Sequence, residues 1–152
     1  MPERRSVKPP LPASEAVSAR LSRQRQRNTR PELALRSALH RQGQRFYVHR
    51  RPIPSLRRVA DIVFPAVKVA VEVRGCFWHA CPEHGTAPKS NAEWWADKLA
   101  SNRRRDETAD TALRAAGWLP VTVWEHESPE EAARRVAAVV QQRRAEGYSK
   151  RR

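Results

Sequence analysis

Short apolar runs alternate with amphipathic stretches along the chain, and two of the apolar runs are neighbours. Residues 59–64 and 67–73 are rich in valine and are separated only by Pro65 and the residue after it, which predicts two buried strands joined by a turn. One acid breaks each run: Asp61 in the first and Glu72 in the second. A buried carboxylate is costly unless it binds a partner, so these acids indicate a site in the sheet.

Helical patterns flank this hairpin. Thr29 and Glu32 have the spacing of a capping box at the start of a first helix, which Gly43 ends. The other predicted elements are a strand at residues 45–48, a helix at 91–116, a strand at 118–124 and a helix that Ser128 begins and that buries Val136, Val139 and Val140. This order predicts a mixed α/β fold with helices covering a central sheet.

Length and charge limit the possible functions. The 152 residues suit a single domain, and a net charge of +14 with a pI near 11.3 favours a polyanionic partner. Both ends are more basic than the middle, so we predict a flexible basic arm at residues 1–27, a folded domain at 28–142 and a basic tail at 143–152. Within the arm, residues 14–27 fit either a weak helix that orders on DNA or a loose solvated segment.

The sequence also indicates where the protein acts. No apolar run approaches the roughly 20 residues of a membrane span, and the N-terminus lacks the apolar core of a signal peptide. We therefore expect a cytoplasmic protein with no membrane partner.

The hairpin suggests a metal-dependent chemistry. If it brings Asp61 beside Glu72, the two carboxylates and the main-chain carbonyl of Val73 form an oxygen cage suited to Mg²⁺. Arg74 projects from the same face as Glu72, because side chains alternate along a strand. An aspartate followed by Glu-x-basic is typical of a metal-dependent phosphodiesterase.

Two segments next to the hairpin add candidate residues. The loop at residues 50–58 combines prolines with arginines, among them Arg57 and Arg58, and this predicts an exposed, stiff segment that contacts a DNA backbone. After the hairpin, Cys76 and Cys81 are close enough for a disulfide, but a reducing compartment favours a pair of metal ligands.

A set of motifs between about residues 28 and 136 resembles the very-short-patch-repair (Vsr) family of DNA mismatch endonucleases. The motifs are Gly75-Cys-Phe-Trp-His79, Cys81-Pro-Glu-His84, Asn91-Ala-Glu-Trp-Trp95, Asn102-x3-Asp106, Gly117-Trp118 and Trp124-Glu-His126. The resemblance implies a restriction-endonuclease-like fold, with a central mixed sheet flanked by helices and a structural zinc loop. It also implies a bacterial, nucleoid-associated enzyme that nicks DNA beside the thymine of a T:G mismatch, the product of 5-methylcytosine deamination.

The resemblance assigns roles to individual residues. Asp61 would bind Mg²⁺ together with the Val73 carbonyl, Glu32 would lie near the active site, and His79 would activate water or protonate the leaving group. The family's structural zinc would be held here by Cys76, Cys81, His84 and His126. For His40 and His49 we expect only surface or core roles.

The resemblance also predicts a DNA-binding surface. Phe77, Trp78 and Trp95 would wedge into the base stack beside the mismatch, where unstacking costs less than in paired DNA. The alternative for each aromatic residue is an ordinary place in the core. Further DNA contacts are predicted for Arg57, Arg58, Asn102 and Arg103. An asymmetric mismatch would suit a monomer, and a repair protein or a DNA methyltransferase is a possible partner.

Glu72 and Arg74 depart from the family pattern, whose best-known members have an apolar residue and a histidine there. The departure would make Glu72 a second Mg²⁺ ligand and Arg74 a stabiliser of the phosphate charge, or it would alter catalysis and substrate choice. A second departure is His126, at a position where a cysteine occurs in the family.

We therefore predict a Mg²⁺-dependent DNA endonuclease that nicks beside a T:G mismatch. One alternative is a restriction-type or invader-DNA nuclease that needs no mismatch. Another is a zinc-stabilised protein that binds distorted DNA without cutting it.

Overall fold

A computed structural model describes residues 27–79, 81–85 and 89–148 of the chain. Nearly all of the predicted N-terminal arm, including its possible helix, lies outside the described residues, as does the end of the predicted tail. The described helices are α1 (Arg30–Arg41), α2 (Ala92–Ala115) and α3 (Pro129–Ala145), and the strands are β1 (Tyr47–Arg50), β2 (Ala60–Phe64), β3 (Val69–Arg74) and β4 (Leu119–Trp124). The predicted order of helix, three strands, helix, strand and helix is confirmed.

The four strands form one mixed sheet in the order β1-β2-β3-β4. β1 and β2 are antiparallel, as are β2 and β3, whereas β3 and β4 are parallel. The tight connection from β2 to β3 is a 3-10 turn at Pro65–Val67 followed by Lys68 in the left-handed region, with φ of 53°. The parallel pair needs a crossover, and α2 lies in that connection.

Helices cover both faces of the sheet. The larger core cluster joins α1 and α3 to one face, where Leu35, Leu39, Val136 and Val140 pack against Ile62, Phe64, Val69 and Val71. The smaller cluster joins α2 to the other face through Leu113, which packs with Ala60, Val63 and Ala70. The predicted burial of Val136 and Val140 is confirmed, and Val139 is partly buried against the same cluster.

Several element boundaries differ from the prediction. β1 starts at Tyr47, two residues later than expected. The Thr29 side chain makes no capping hydrogen bond, so the predicted capping box does not form; Glu32 pairs instead with Arg36 and His49. At α3 the predicted cap is present, because Ser128 Oγ accepts a hydrogen bond from an amide of the first turn.

The last helix also extends further along the chain than predicted. α3 continues to Ala145, past the predicted start of the tail at residue 143. The Arg143 guanidinium donates to the main-chain oxygens of Val67 and Gly117 and lies 3.8 Å from the centre of the Tyr148 ring. The first residues of the predicted tail are therefore packed on the domain. In the described part of the chain, no helix is long and apolar enough to cross a membrane.

Candidate active site and metal centres

Asp61 lies on β2 beside two residues from neighbouring elements, Glu32 of α1 and His49 of β1. One ligand atom from each of these three side chains lies within 4.8 Å of the other two. The Val73 amide donates a hydrogen bond of 2.8 Å to Asp61 Oδ2 and so fixes that carboxylate. We call Glu32, His49 and Asp61 the acid–histidine group.

The backbone of His49, the imidazole of this group, is strained. Its φ is 51°, in the left-handed region that non-glycine residues rarely adopt. Its Nε2 lies 3.0 Å from Glu32 Oε1, and Glu32 itself is only 2% exposed. A strained residue persists only where its surroundings hold it in place, and such residues cluster at functional sites.

Two carboxylates and one guanidinium set the charge of this group. Burial raises the pKa of Asp61 to about 6; the Val73 hydrogen bond and the positive charge of Arg36 oppose this rise, while the nearby carboxylates of Glu32 and Glu72 add to it. A divalent ion beside Asp61 would favour its ionised form and would bind two carboxylates and an imidazole. The donor set therefore fits a divalent metal.

Glu72 turns away from this group and towards α2. Two arginines bind it: Arg58 Nε lies 2.7 Å from Oε1, and Arg74 Nη2 lies 3.1 Å from Oε2. The same arginines continue to acids of α2, Arg58 to Asp106 and Arg74 to Asp110. We call Arg58, Glu72, Arg74, Asp106 and Asp110 the ionic network.

The ionic network changes three expectations. Among the described residues, Glu72 lies outside the group of ligand atoms around Asp61, and Arg58 and Arg74 bind its carboxylate. Arg74 is only 8% exposed, so it is paired internally rather than presented to a phosphate. Arg58 likewise pairs with Glu72 and Asp106 in place of the predicted DNA backbone.

His79 joins the ionic network through Asp106. Its Nδ1 lies 2.6 Å from Asp106 Oδ2. Although burial acts to raise the pKa of Asp106, hydrogen bonds from His79 and Arg58 outweigh it and lower that pKa to about 2. Asp106 is thus a carboxylate at neutral pH that orients the imidazole, and Nε2 on the other side of the ring can exchange a proton. The sequence signal for this partner was a polar residue on the buried seam of α2.

Three aromatic side chains form a cluster next to His79. The ring centres of Phe77, Trp78 and Trp95 lie 5.1 to 5.7 Å apart. Asn102 donates a hydrogen bond of 3.1 Å to the Trp78 main-chain oxygen, so this predicted DNA-binding residue tethers the loop. All three rings are partly exposed, whereas a core position would bury them.

Two arginines predicted to contact DNA have exposed side chains. Arg57 lies in the loop before β2, and Arg103 lies on α2. Both are therefore placed where a phosphate can reach them, in contrast to Arg58.

Cysteine and histidine side chains also converge after β3. Cys76 Sγ lies 3.2 Å and Cys81 Sγ 3.7 Å from Nδ1 of His126. His84 is exposed and lies outside this triad, but its ring centre is 4.2 Å from that of His126. The structure thus brings three of the four predicted zinc ligands together and places the fourth beside them. On the far side of the His126 ring, Nε2 lies 3.3 Å from Glu83.

The chemistry of this second centre fits zinc. Two sulfurs and an imidazole nitrogen are a ligand set that Zn²⁺ prefers. Burial and the neighbouring Cys81 raise the pKa of the Cys76 thiol to about 11, so a cation is needed to hold the thiolate form. A carboxylate on the other ring nitrogen, as Glu83 is on His126, commonly orients a metal-binding histidine.

The sequence is similar to known proteins over most of its length. The family model described as DNA mismatch endonuclease Vsr matches residues 13–83. The type II nicking enzyme V.NaeI of Lentzea aerocolonigenes is 44% identical over 133 residues, which cover 86% of this chain and 78% of that protein. The type II nicking enzyme V.XorIIP of Xanthomonas oryzae pv. oryzae is 45% identical over 105 residues, 68% of this chain and 74% of that protein. The type II nicking enzyme V.NmeAIP of Neisseria meningitidis is 36% identical over 103 residues, 66% and 71% of the two chains.

Proposed function

Because this chain belongs to the Vsr family of DNA mismatch endonucleases, we propose that it nicks one strand of duplex DNA beside a T:G mismatch. The family makes the chain a DNA endonuclease, and its relatives are nicking enzymes. The observation that best supports this function is that His79 pairs with Asp106 of α2. His79 lies in the loop after β3, the strand whose Val73 amide fixes the Asp61 carboxylate.

We propose that Asp61 and the main-chain carbonyl of Val73 bind a catalytic Mg²⁺. When bound, this ion supplies a Lewis acid that polarises the scissile phosphate and lowers the pKa of a bound water. Glu72 takes no part as a ligand in this proposal, because Arg58 and Arg74 bind it.

His79 moves the proton in this scheme. Asp106 holds its Nδ1 and stabilises the charged ring, so Nε2 takes a proton from the attacking water or gives one to the leaving oxygen. Arg58 and the rest of the ionic network keep Asp106 ionised and in place. General acid–base catalysis of this kind contributes about 10² to 10⁴ in rate.

The aromatic cluster is proposed to recognise the distorted base step. Phe77, Trp78 and Trp95 offer flat rings that can replace stacking lost at a mismatch. Arg57 and Arg103 would contact phosphates and would add affinity that depends on salt but not on sequence.

A structural Zn²⁺ is proposed at the cysteine–histidine centre. Cys76 and Cys81 would hold it with His126, and His84 would move a short way to complete the tetrahedron. The ion would fix the loop that carries Phe77, Trp78 and His79 more firmly than hydrogen bonds alone could.

A strand-resolved nicking assay tests the proposed function. Labelled duplexes carrying T:G, each other mismatch, or only paired bases are incubated with the protein with and without Mg²⁺. The expected result is a nick in the thymine strand of the T:G duplex that requires Mg²⁺ and is lost in Asp61→Ala, while that variant still binds DNA.

Two outcomes would support the other functions. Equal cleavage of paired and T:G duplexes would support a restriction-type nuclease. Tight binding of mismatched DNA without cleavage in Mg²⁺ or Mn²⁺ would support a protein that binds distorted DNA without cutting it.

A further inference from the structure

Glu32 and His49 are the two members of the acid–histidine group to which the proposed function gives no role. We propose that His49 is a metal ligand, and that Glu32, His49 and Asp61 form a mixed carboxylate–imidazole site for the catalytic divalent ion. This inference deepens the proposed function and rests on it.

The geometry of His49 points to a ligand rather than to a surface residue. Its side chain is 16% exposed, and its backbone φ of 51° lies in the left-handed region. Nε2 is the atom that lies among the acidic oxygens, 3.0 Å from Glu32 Oε1. β1 pairs with β2 on both sides of this residue, so the strand holds the ring next to Asp61.

Mn²⁺ is a suitable probe of this donor set. Mg²⁺ takes oxygen ligands and usually keeps several of its waters, and Mn²⁺ suits the same carboxylate and carbonyl oxygens. Glu32, His49 and Asp61 offer two carboxylate oxygens and one imidazole nitrogen, so a nitrogen bound directly to Mn²⁺ would identify His49 as a ligand.

In the structure, the Arg36 guanidinium lies against two of these ligands. Arg36 forms an ion pair with Glu32 through Nη2, and the same nitrogen lies 2.7 Å from His49 Nε2. A metal ion bound by those two residues has to displace this guanidinium. Outside the site, Arg36 Nη1 donates a hydrogen bond of 3.0 Å to Asn28, and its buried Nε has no hydrogen-bond partner among the described residues. Arg36 is therefore a competitor for the site.

The two residues should have opposite effects on Mn²⁺ binding. Removal of the imidazole in His49→Gln should weaken Mn²⁺ binding at least about tenfold. Removing a residue that only hydrogen-bonds to a metal ligand already lowers metal affinity by about this factor. Removal of the competing charge in Arg36→Met should strengthen binding several-fold. Matched controls are His40→Gln, whose ring stacks on Phe46, and Arg41→Met, an exposed arginine of the same helix.

The experiment uses the full-length, zinc-loaded protein without DNA. Electron paramagnetic resonance counts free Mn²⁺ during a titration, and electron spin echo modulation detects a nitrogen bound directly to Mn²⁺. The wild type and both controls should show one nitrogen coupling, Arg36→Met should keep it with tighter binding, and His49→Gln should lose it. Circular dichroism confirms that each variant is folded.

Failure of this inference is distinguishable from failure of the proposed function. A wild type without nitrogen coupling, or His49→Gln with unchanged coupling and affinity, would overturn the mixed site even if the protein nicks T:G duplexes. If His49→Gln does not fold, Arg36→Met decides, because unchanged or weaker Mn²⁺ binding in that variant contradicts the competition. Nitrogen coupling in a protein that cuts no DNA would support the site and overturn the proposed function.

Discussion

Replacement of Asp61 by asparagine is expected to stabilise the protein in the absence of divalent metal and to abolish nicking. The carboxylate is buried beside another acid, and its pKa is raised from 3.8 to about 6. Asparagine removes the charge but keeps a side-chain oxygen that can accept the hydrogen bond from the Val73 amide. The Asp61 carboxylate thus destabilises the folded protein, whereas the proposed function requires it for metal binding; such a trade-off is common at active sites.

The magnitude follows from linkage. Each unit of pKa shift corresponds to about 1.4 kcal/mol, so a rise from 3.8 to about 6 costs the ionised folded state up to about 3 kcal/mol. Since the folded-state pKa is the higher one, wild-type stability falls as the pH rises from about 4 through about 6, and stays low above that range. The gain in Asp61→Asn should therefore be largest near pH 8 and should fall to roughly half at pH 5.

Thermal unfolding of the zinc-loaded protein at these two pH values is the assay, in buffer without Mg²⁺ or Mn²⁺. A gain of up to about 3 kcal/mol corresponds to a Tm rise of roughly 5 to 10 °C. Asp97→Asn, an exposed acid on α2, is the matched control and should change little at either pH. An Asp61→Asn protein no more stable than wild type at pH 8, or one whose gain does not shrink at pH 5, would refute the reasoning.

Three further substitutions test other parts of the site. Asp106→Asn should lower the single-turnover nicking rate about 10²-fold or more with little change in DNA affinity, and an unchanged rate would remove His79 from the mechanism. Because the pKa of Asp106 is lowered to about 2, this substitution should also lower the free energy of unfolding in urea by about 2 kcal/mol at pH 7. Cys76→Ser should lose the bound zinc, measured by atomic emission, and should lower Tm; full zinc content would contradict the ligand set. Trp95→Ala should weaken binding to a T:G duplex about tenfold in a fluorescence titration and leave binding to a paired duplex nearly unchanged; equal losses on both would argue against a wedge.

The elements and the grouping of the two cysteines were within reach of the sequence. Valine-rich runs, Gly43 and Ser128 mark where strands and helices begin and end, because these signals are local. A short motif whose members share one loop singles out Cys76, Cys81 and His79 as candidates. The predicted capping box at Thr29 failed because the pattern cannot say that Glu32 is buried beside an arginine and a histidine from elsewhere in the fold.

The ionic network was beyond the sequence for a different reason. Arg58 and Asp106 are 48 positions apart, and their pairing depends on how α2 crosses the sheet. The chain has 30 basic and 16 acidic residues, so each acid has many possible partners of similar chemistry. The pairs form only once α2 is placed across the sheet, where Leu113 packs with Ala60, Val63 and Ala70. A polar residue on a buried helix face predicts that a partner exists but does not identify it.

The direction of the Asp61 side chain depends on a still smaller feature. β2 pairs with β3 from Phe64 back to Ile62, and one more step of this register would place Asp61 opposite Glu72 on a shared face, as the hairpin predicted. The pairing stops at Ile62, and the Val73 amide is satisfied by the Asp61 carboxylate instead of by the main chain. With its carboxylate bound to the Val73 amide, Asp61 lies beside Glu32 of α1, whereas Glu72 pairs with Arg58 and Arg74. Both strands are apolar at nearly all other positions, on both faces of the sheet, so the hydrophobic pattern does not show which face Asp61 lies on. It therefore cannot distinguish an oxygen cage with Glu72 from a metal site shared with Glu32 and His49.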